Sequence, residues 1–338
     1  MKKAMSIILV SIMLVLTITA CQVNPGAGSS YGLTTTALVD PTTNPATTAA
    51  AATTVAAATT TSTTAATTPA TTAATTTTTP PLSNVSITVI SREEGSGTRG
   101  AFVELFGVLD ENKIDQTADS AEITNSTSVM MTSVAGDPTA IGYISLGSLN
   151  DMVKAAKIDG AEATVANIKS GSYGISRPFN IAIKSGISEQ GQDFVDYIMS
   201  SDGQDIIENN GYIRMEDTGA YSSAKSSGKI VVAGSSSVSP VMEKLIEAYQ
   251  TINSGAEIEL QTSDSSTGMK SAIDGVCDIG MASRELKDSE IDSGLQGITI
   301  ATDGIAVIVN NNSPIDNLTK TQVKQIFTGE ITRWSELG

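Results

Sequence analysis

Histidine is absent from all 338 residues. The commonest general base and the commonest imidazole metal ligand are therefore missing, which weakens every hydrolase or metalloenzyme reading. Cysteine occurs twice, at Cys21 and Cys277. Only Cys277, in the apolar context "DGVCDIGMAS", lies within the stretch that reads as folded, so it has no disulfide partner there and reads as a small core residue. Positive charge is also scarce: 20 Lys and Arg face 36 Asp and Glu, a net charge of −16. That balance argues against nucleic acid as a partner. An anionic ligand would have to be captured by local dipoles against the global field.

Long hydrophobic runs are limited to the N-terminus. Lys2 and Lys3 precede the apolar run "MSIILVSIMLVLTI" and then "TAC". A charged start, an apolar middle and a small-residue cleavage site make residues 1–20 a secretion signal. The rival, a membrane-spanning helix, needs about 20 apolar residues, more than this run supplies. "ITAC" (Ile18 to Cys21) resembles a bacterial lipobox, which implies that Cys21 carries lipid and anchors the mature chain to the outer face of the cell membrane. Residues 21–83 are mostly Thr, Ala, Pro and Ser with almost no charge. Such a segment has too little apolar surface to offset its ordering entropy. It reads as a flexible tether or an O-glycosylated stalk.

From Asn84 onward, strand-like and helix-like patterns alternate. "SITVIS" is followed by "RGAFVELFGVL", and "FNIAIKS" by one long helical pattern through "EQGQDFVDYIMSSDGQDIIENN". After the small-residue linker "TGAYSSAKSSG" (residues 218–228) a second series begins with "KIVVAG" and "SPVMEKLIEAYQTI". The order predicts an α/β protein with two lobes.

Three turns share one chemistry. "SREEGSGTRGAF" contains G-x-G-x-x-G between a strand and a helix, the spacing of a dinucleotide turn. No convincing second unit with a ribose-binding acid follows. "GSSSVSP" and "SDSSTG" likewise place small hydroxyl residues between a strand and a helix. Each delivers backbone N–H groups and hydroxyls to a helix N-terminus, where partial positive charge favours an anion. Any one alone reads as an ordinary N-cap. Three, with Arg92 beside the first, point to a single oxyanion site.

These stretches, with "DIGMASREL", "TDGIAVIVN", "IFTGEITRWSELG", "DPTAIGYISL" and "NIKSGSYGISRPF", resemble the phosphate-binding lipoproteins that feed Pst-type ABC importers. The resemblance covers nearly all of Val85 to Gly338. It implies the two-lobed periplasmic-binding-protein fold of type II, with the ligand in a cleft between lobes. The order differs from the family's: the stretch like 229–338 usually comes first and the one like 86–213 second. The chain thus resembles a circular permutation with residues 218–228 joining the usual termini. A truncated or rearranged gene, or a swapped dimer, would be the alternatives to a permuted monomer. By the mapping, residues 84–142 plus 307–338 form one lobe and residues 143–306 the other.

The resemblance also implies the site residues. Ser236 would offer its hydroxyl, Ser237 its backbone N–H, and Ser265 a further donor. Arg92 would supply a planar fork for two phosphate oxygens, and Ser96, Gly97 and Thr98 would wrap the anion. Ser283 stands where some family members carry an Asp that accepts the proton on phosphate. Asp303 is the substitute acceptor expected here, the alternative being a turn residue before Gly304. Glu94 and Arg284 are expected behind the site, with Glu94 holding Arg92. Trp334 and the Met130–Met131 pair read as packing, and Asn125, Ser126 and Thr127 as a helix cap, with the cleft edge as a second possibility. No cofactor or metal and no enzymatic activity are implied. The partners would be inorganic phosphate, the importer's permease subunits and the membrane. A surface-anchored oxyanion sensor or adhesion protein without a transport role would use the same features.

Overall fold

In a computed structural model of the chain, residues 85–224 and 227–337 are described. The expected signal, Cys21 and the tether lie outside them. In chain order the elements begin with β1 (Thr88–Arg92), α1 (Gly97–Phe106), β2 (Glu122–Thr124), α2 (Thr127–Gly136) and β3 (Ala140–Ser145). The short β4 (Lys154–Ala155), β5 (Lys157–Ile158) and α3 (Val165–Lys169) lead to β6 (Ser176–Lys184), α4 (Glu189–Met199), α5 (Ser201–Asn209) and β7 (Ile213–Arg214). There follow β8 (Gly228–Ser235), α6 (Ser239–Ile252), β9 (Ala256–Ser263), α7 (Ser265–Asp274), β10 (Ile279–Ala282) and α8 (Asp288–Asp292). The chain closes with β11 (Leu295–Val309), β12 (Asn317–Leu318) and α9 (Lys320–Phe327).

The main strand order is β2-β1-β3-β11-β6-β10-β8-β9. The flanks, β1 with β2 and β3 and β8 with β9 and β10, are parallel, and the middle pairs are antiparallel. Parallel pairs need crossovers, which helices supply, so each lobe is layered α/β. Two apolar cores form on either side of the middle. Phe102, Phe106, Tyr143, Tyr173, Val307 and Phe327 belong to the first; Phe179, Phe194, Ile230, Leu245 and Met281 belong to the second and its extension. Full burial of each such side chain is worth about 1.5–3 kcal/mol.

Core membership moves the lobe boundaries. Tyr143 stacks on Phe102 with ring centroids 3.9 Å apart, and Val153, Ile158, Tyr173 and Ile175 pack into the same core. Residues 143–175 therefore belong with both chain ends, not with the continuous lobe. The chain changes lobe at Ile175–Ser176 and again within β11, where Gly304 still pairs with Ser176 but Ile305 pairs with Ser145. The Ile305 N–H donates to the Ile175 carbonyl at 2.9 Å, tying the two crossings together.

The long helical pattern after "FNIAIKS" is two helices rather than one. Ser200 is extended (φ −71°, ψ 167°) and ends α4 while its hydroxyl accepts from the Gly203 N–H to cap α5. Trp334, Met130 and Cys277 are buried, as expected of packing residues, and Met131 is half-buried against the same core as Met130. Among the described residues, no helix is long and apolar enough to cross a membrane, and no cluster of His, Cys, Asp and Glu is able to hold a metal.

Candidate functional site

The three anion-type turns converge. The turn before α1 comes from the first lobe; those before α6 and α7 come from the second. The Thr98 and Ser237 hydroxyls lie 2.7 Å apart, and the Arg92 guanidinium donates to the Ser236 hydroxyl at 3.0 Å. Ser266 donates through both its N–H and its hydroxyl to the Gly95 carbonyl, each at 3.2 Å. Two glycines make this approach possible. Gly95 has φ +91°, and a Cβ there would stand 2.6 Å from Asp264 Oδ1. A Cβ on Gly97 would stand 2.3 Å from Ser265 Oγ and 2.7 Å from Ser283 Oγ. By contrast nothing lies within 4 Å of a Cβ on Gly100, so the third glycine of the dinucleotide spacing has no packing role.

Local capping decides which hydroxyls remain for the site. Ser96 caps α1 by accepting from the Arg99 N–H, and Ser126 caps α2. Asp264, not a serine, caps α7, which frees Ser265 as the first helical residue. The α6 N-terminus has Val238 at its cap and no side-chain acceptor, so its dipole is not offset by a capping group. Ser96, Thr98, Thr127, Ser235, Ser236, Ser237, Ser265 and Ser283 are all buried. Thr127, the first residue of α2, reaches the Ser237 hydroxyl at 3.3 Å, so it faces the site while Ser126 serves as the cap.

Behind the hydroxyls stand two buried guanidinium groups, each held by a carboxylate. Arg92 donates to Glu93 from Nε and Nη2, both at 2.7 Å, and to Thr127 and Ser236 on its other side. Arg177 donates to Asp303 at 3.2 and 3.3 Å and to the Ser283 hydroxyl and carbonyl at 3.2 Å. Burial pushes the Asp303 carboxyl up to about 6 against the pull of Arg177 and Ser145. It also pulls the Arg177 guanidinium down, with Asp303 opposing. Tyr143 supports the end of β1 by accepting from the Arg92 N–H at 3.1 Å, and burial raises its hydroxyl to about 12.

Several expected residues occupy different posts. Glu94 is exposed, and Arg92 is held by Glu93 instead. The reason is local: β1 ends at Arg92, so strand alternation no longer governs the next residue, and the Glu93 N–H bonds Thr124. Asp303 is buried but stands one residue back, accepting from Ser145, Gly147 and Arg177. Arg284 grips Glu290 in a two-point ion pair and touches Ser266, so it braces α8 against α7 beside the site. The Ser237 N–H donates to Ser235 Oγ at 3.3 Å, leaving its hydroxyl as the group that meets Thr98. Arg177, Glu93, Ser235 and Ser145 are participants that the sequence reading did not assign. "GISRPF" contained the signal for Arg177: a cation just ahead of the mostly apolar "FNIAI" of β6.

A family model described as the PBP superfamily domain matches residues 27–202 and 219–338. Phosphate-binding protein PstS 2 of Streptococcus agalactiae is 58% identical over 260 residues, which covers 75% of this chain and 89% of the relative. Its counterpart in Streptococcus pneumoniae is 44% identical over 256 residues, covering 75% and 88%. A crystal structure of a phosphate-binding protein of a phosphate ABC transporter from Streptococcus pneumoniae aligns with a TM-score of 0.60 at 44% identity, over 75% of this chain and 100% of the other. With two α/β cores, paired crossings and a polar cluster of turns where the lobes meet, the chain belongs to the PBP superfamily, among the PstS phosphate-binding proteins.

Proposed function

We propose that the protein is an extracytoplasmic receptor that closes its two lobes on inorganic phosphate and passes it to the permease of an ABC importer. The observation that carries this reading is the meeting of three helix-leading turns, contributed by both lobes, around the Arg92 fork and a set of buried hydroxyls. Phosphate would lie among Arg92, Ser96, Gly97, Thr98, Ser236, Ser237, Ser265 and Ser283. Charge-assisted hydrogen bonds contribute about 1.5–3 kcal/mol each, so several together give tight binding without any bond being made or broken. The hydroxyls accept from guanidinium or N–H groups rather than resting against a base. That arrangement suits donors to an anion, not activated nucleophiles.

The same reading takes Cys21 as a lipid-bearing N-terminus that keeps a monomeric receptor at the outer face of the cell membrane. It takes the chain order as a circular permutation of the commoner phosphate-binding arrangement. Supporting the permutation, the two described ends run side by side: Ser86 bridges Arg333, and the Ile87 N–H donates to the Thr332 carbonyl at 2.8 Å. The match over 260 residues of a relative supports an order shared with that relative.

Titration calorimetry with phosphate tests the binding claim. The purified protein is expected to bind stoichiometrically, and Arg92→Ala to weaken binding about 10- to 150-fold, the loss of one charge-assisted contact. A folded, monomeric sample that takes up no phosphate would overturn the reading.

A further inference from the structure

One contact between the lobes uses a group that no anion can take. The Thr98–Ser237, Thr127–Ser237 and Arg92–Ser236 contacts are made by hydroxyls and a guanidinium that also face the site. The Gly95–Ser266 contact differs, because a backbone carbonyl is an acceptor only. The Gly95 carbonyl takes the Ser266 N–H and the Ser266 hydroxyl, each at 3.2 Å. Chemistry fixes both directions. The Arg284 guanidinium, which can only donate, fills a lone pair of the same hydroxyl at 3.2 Å, so the hydroxyl proton is left for the carbonyl.

The start of α7 is spent on this contact. The first N–H groups of a helix have no partner within it and are ordinarily free for a ligand. Here the Ser266 N–H goes to Gly95 and the Thr267 N–H to Asp264 Oδ1 at 2.9 Å. Ser265 is thus the part of this turn that remains for the anion, while the positive end of the helix dipole favours the carbonyl oxygen of the other lobe. Behind Ser266, Arg284 is anchored on Glu290 at 2.7 and 2.9 Å, and Glu290 accepts from the Lys287 N–H at 2.8 Å. The series Glu290–Arg284–Ser266 belongs to the second lobe and ends on Gly95 of the first.

We infer that Gly95 and Ser266 form a latch between the lobes, with Ser266 retaining phosphate without touching it. The inference rests on the phosphate reading above. Both residues are half-buried, at the rim of the site. Neither belongs to the crossings at 175–176 and 304–305, so parting the lobes must break both bonds. A bond present in the closed form and absent from the open one adds its free energy to closure alone. Phosphate enters the open form and leaves by reopening, so the latch slows departure and leaves encounter unchanged.

Release of radiolabelled inorganic phosphate into an excess of unlabelled phosphate gives koff for the purified protein. Calorimetry gives Kd, and the ratio of the two gives kon. Ser266→Ala keeps the backbone bond to Gly95 and places a good helix former at the start of α7, so the fold is expected to persist. It is expected to raise koff about fivefold, the loss of one hydrogen bond (about 1 kcal/mol), with kon within about twofold of the parent. A koff equal to the parent's, or a weakening carried by kon, would overturn the latch while phosphate binding stands. A parent that binds no phosphate would overturn both readings.

Discussion

Asp303 shows how burial and pairing compete at one residue. It is 1% exposed and meets Arg177, yet its carboxyl is raised from 3.8 to about 6 because the loss of water outweighs the ion pair. The sign of the consequence follows from proton counting. Between about pH 4 and pH 6 the folded chain holds a proton that the unfolded chain has released, so this residue's contribution is full below pH 4 and lost as pH rises through 6. Asp303→Asn removes that slope. Its stability relative to the parent is expected to rise by about 2–3 kcal/mol between pH 4 and pH 7, as read by urea unfolding at stepped pH. A difference that stays flat would mean that Arg177 and the neighbouring donors fully offset the burial. Asp115, Asp137 and Glu290 shift the opposite way, so only the difference between the two proteins isolates this term.

At the scale of elements, the N-terminus of α1 docks on the start of α7 through a surface with no room to spare. Gly97→Ala would drive a methyl group into Ser265 and Ser283. Each lobe keeps its core, so secondary structure is expected to persist while phosphate loses its stabilising effect. Ligand at 100 times its dissociation constant adds about 2.7 kcal/mol to the parent, roughly 5–10 °C in Tm. The variant is expected to show a small fraction of that shift in a thermal scan with and without phosphate, and a full shift would disprove the docking account. The sequence made these elements legible because period and punctuation are local: "KIVVAG", Pro240 and the glycine turns all fall where the structure has them. What escaped was non-local. Glu93 rather than Glu94 holds Arg92 because its carboxylate turns back onto the neighbouring guanidinium where β1 ends, and the break at Ser200 is hidden inside a continuous helical pattern. Arg177 gains its role only when β6, β10 and β11 lie side by side. The lobe boundary moved for the same reason: Tyr143 looks like any strand aromatic until Phe102 stacks on it.

For the molecule as a whole, chain order and architecture separate. One lobe is a continuous run, 176–304, and the other is assembled from residues on both sides of it. The two lobes meet through β6, β11 and the site, and also through the Lys169–Glu208 ion pair and the packing of Tyr212 on Gly147. Tolerance to a new break depends on whether the cut backbone is buried and bonded. Near the described ends, Ser86 and Arg333 are already adjacent, so a short Gly/Ser connector would bridge them without strain. Residues 218–224 are more firmly attached: the Tyr221 hydroxyl donates to Asp193 at 2.7 Å, its N–H to Asp202 at 2.8 Å, and the Gly219 carbonyl accepts from Ser201 at 2.8 Å. A re-permuted chain that joins residue 337 to residue 85 and opens after residue 224 keeps those bonds. It is expected to fold to the same two cores, bind phosphate within about threefold of the parent, and lose no more than about 1–2 kcal/mol from the changed loop closure. Opening before Thr218 instead would free Tyr221 from Asp193 and cost more. Equal stability of the two cut sites would show that the 218–224 segment is a passive connector, and loss of folding in the first would refute the permuted-monomer account.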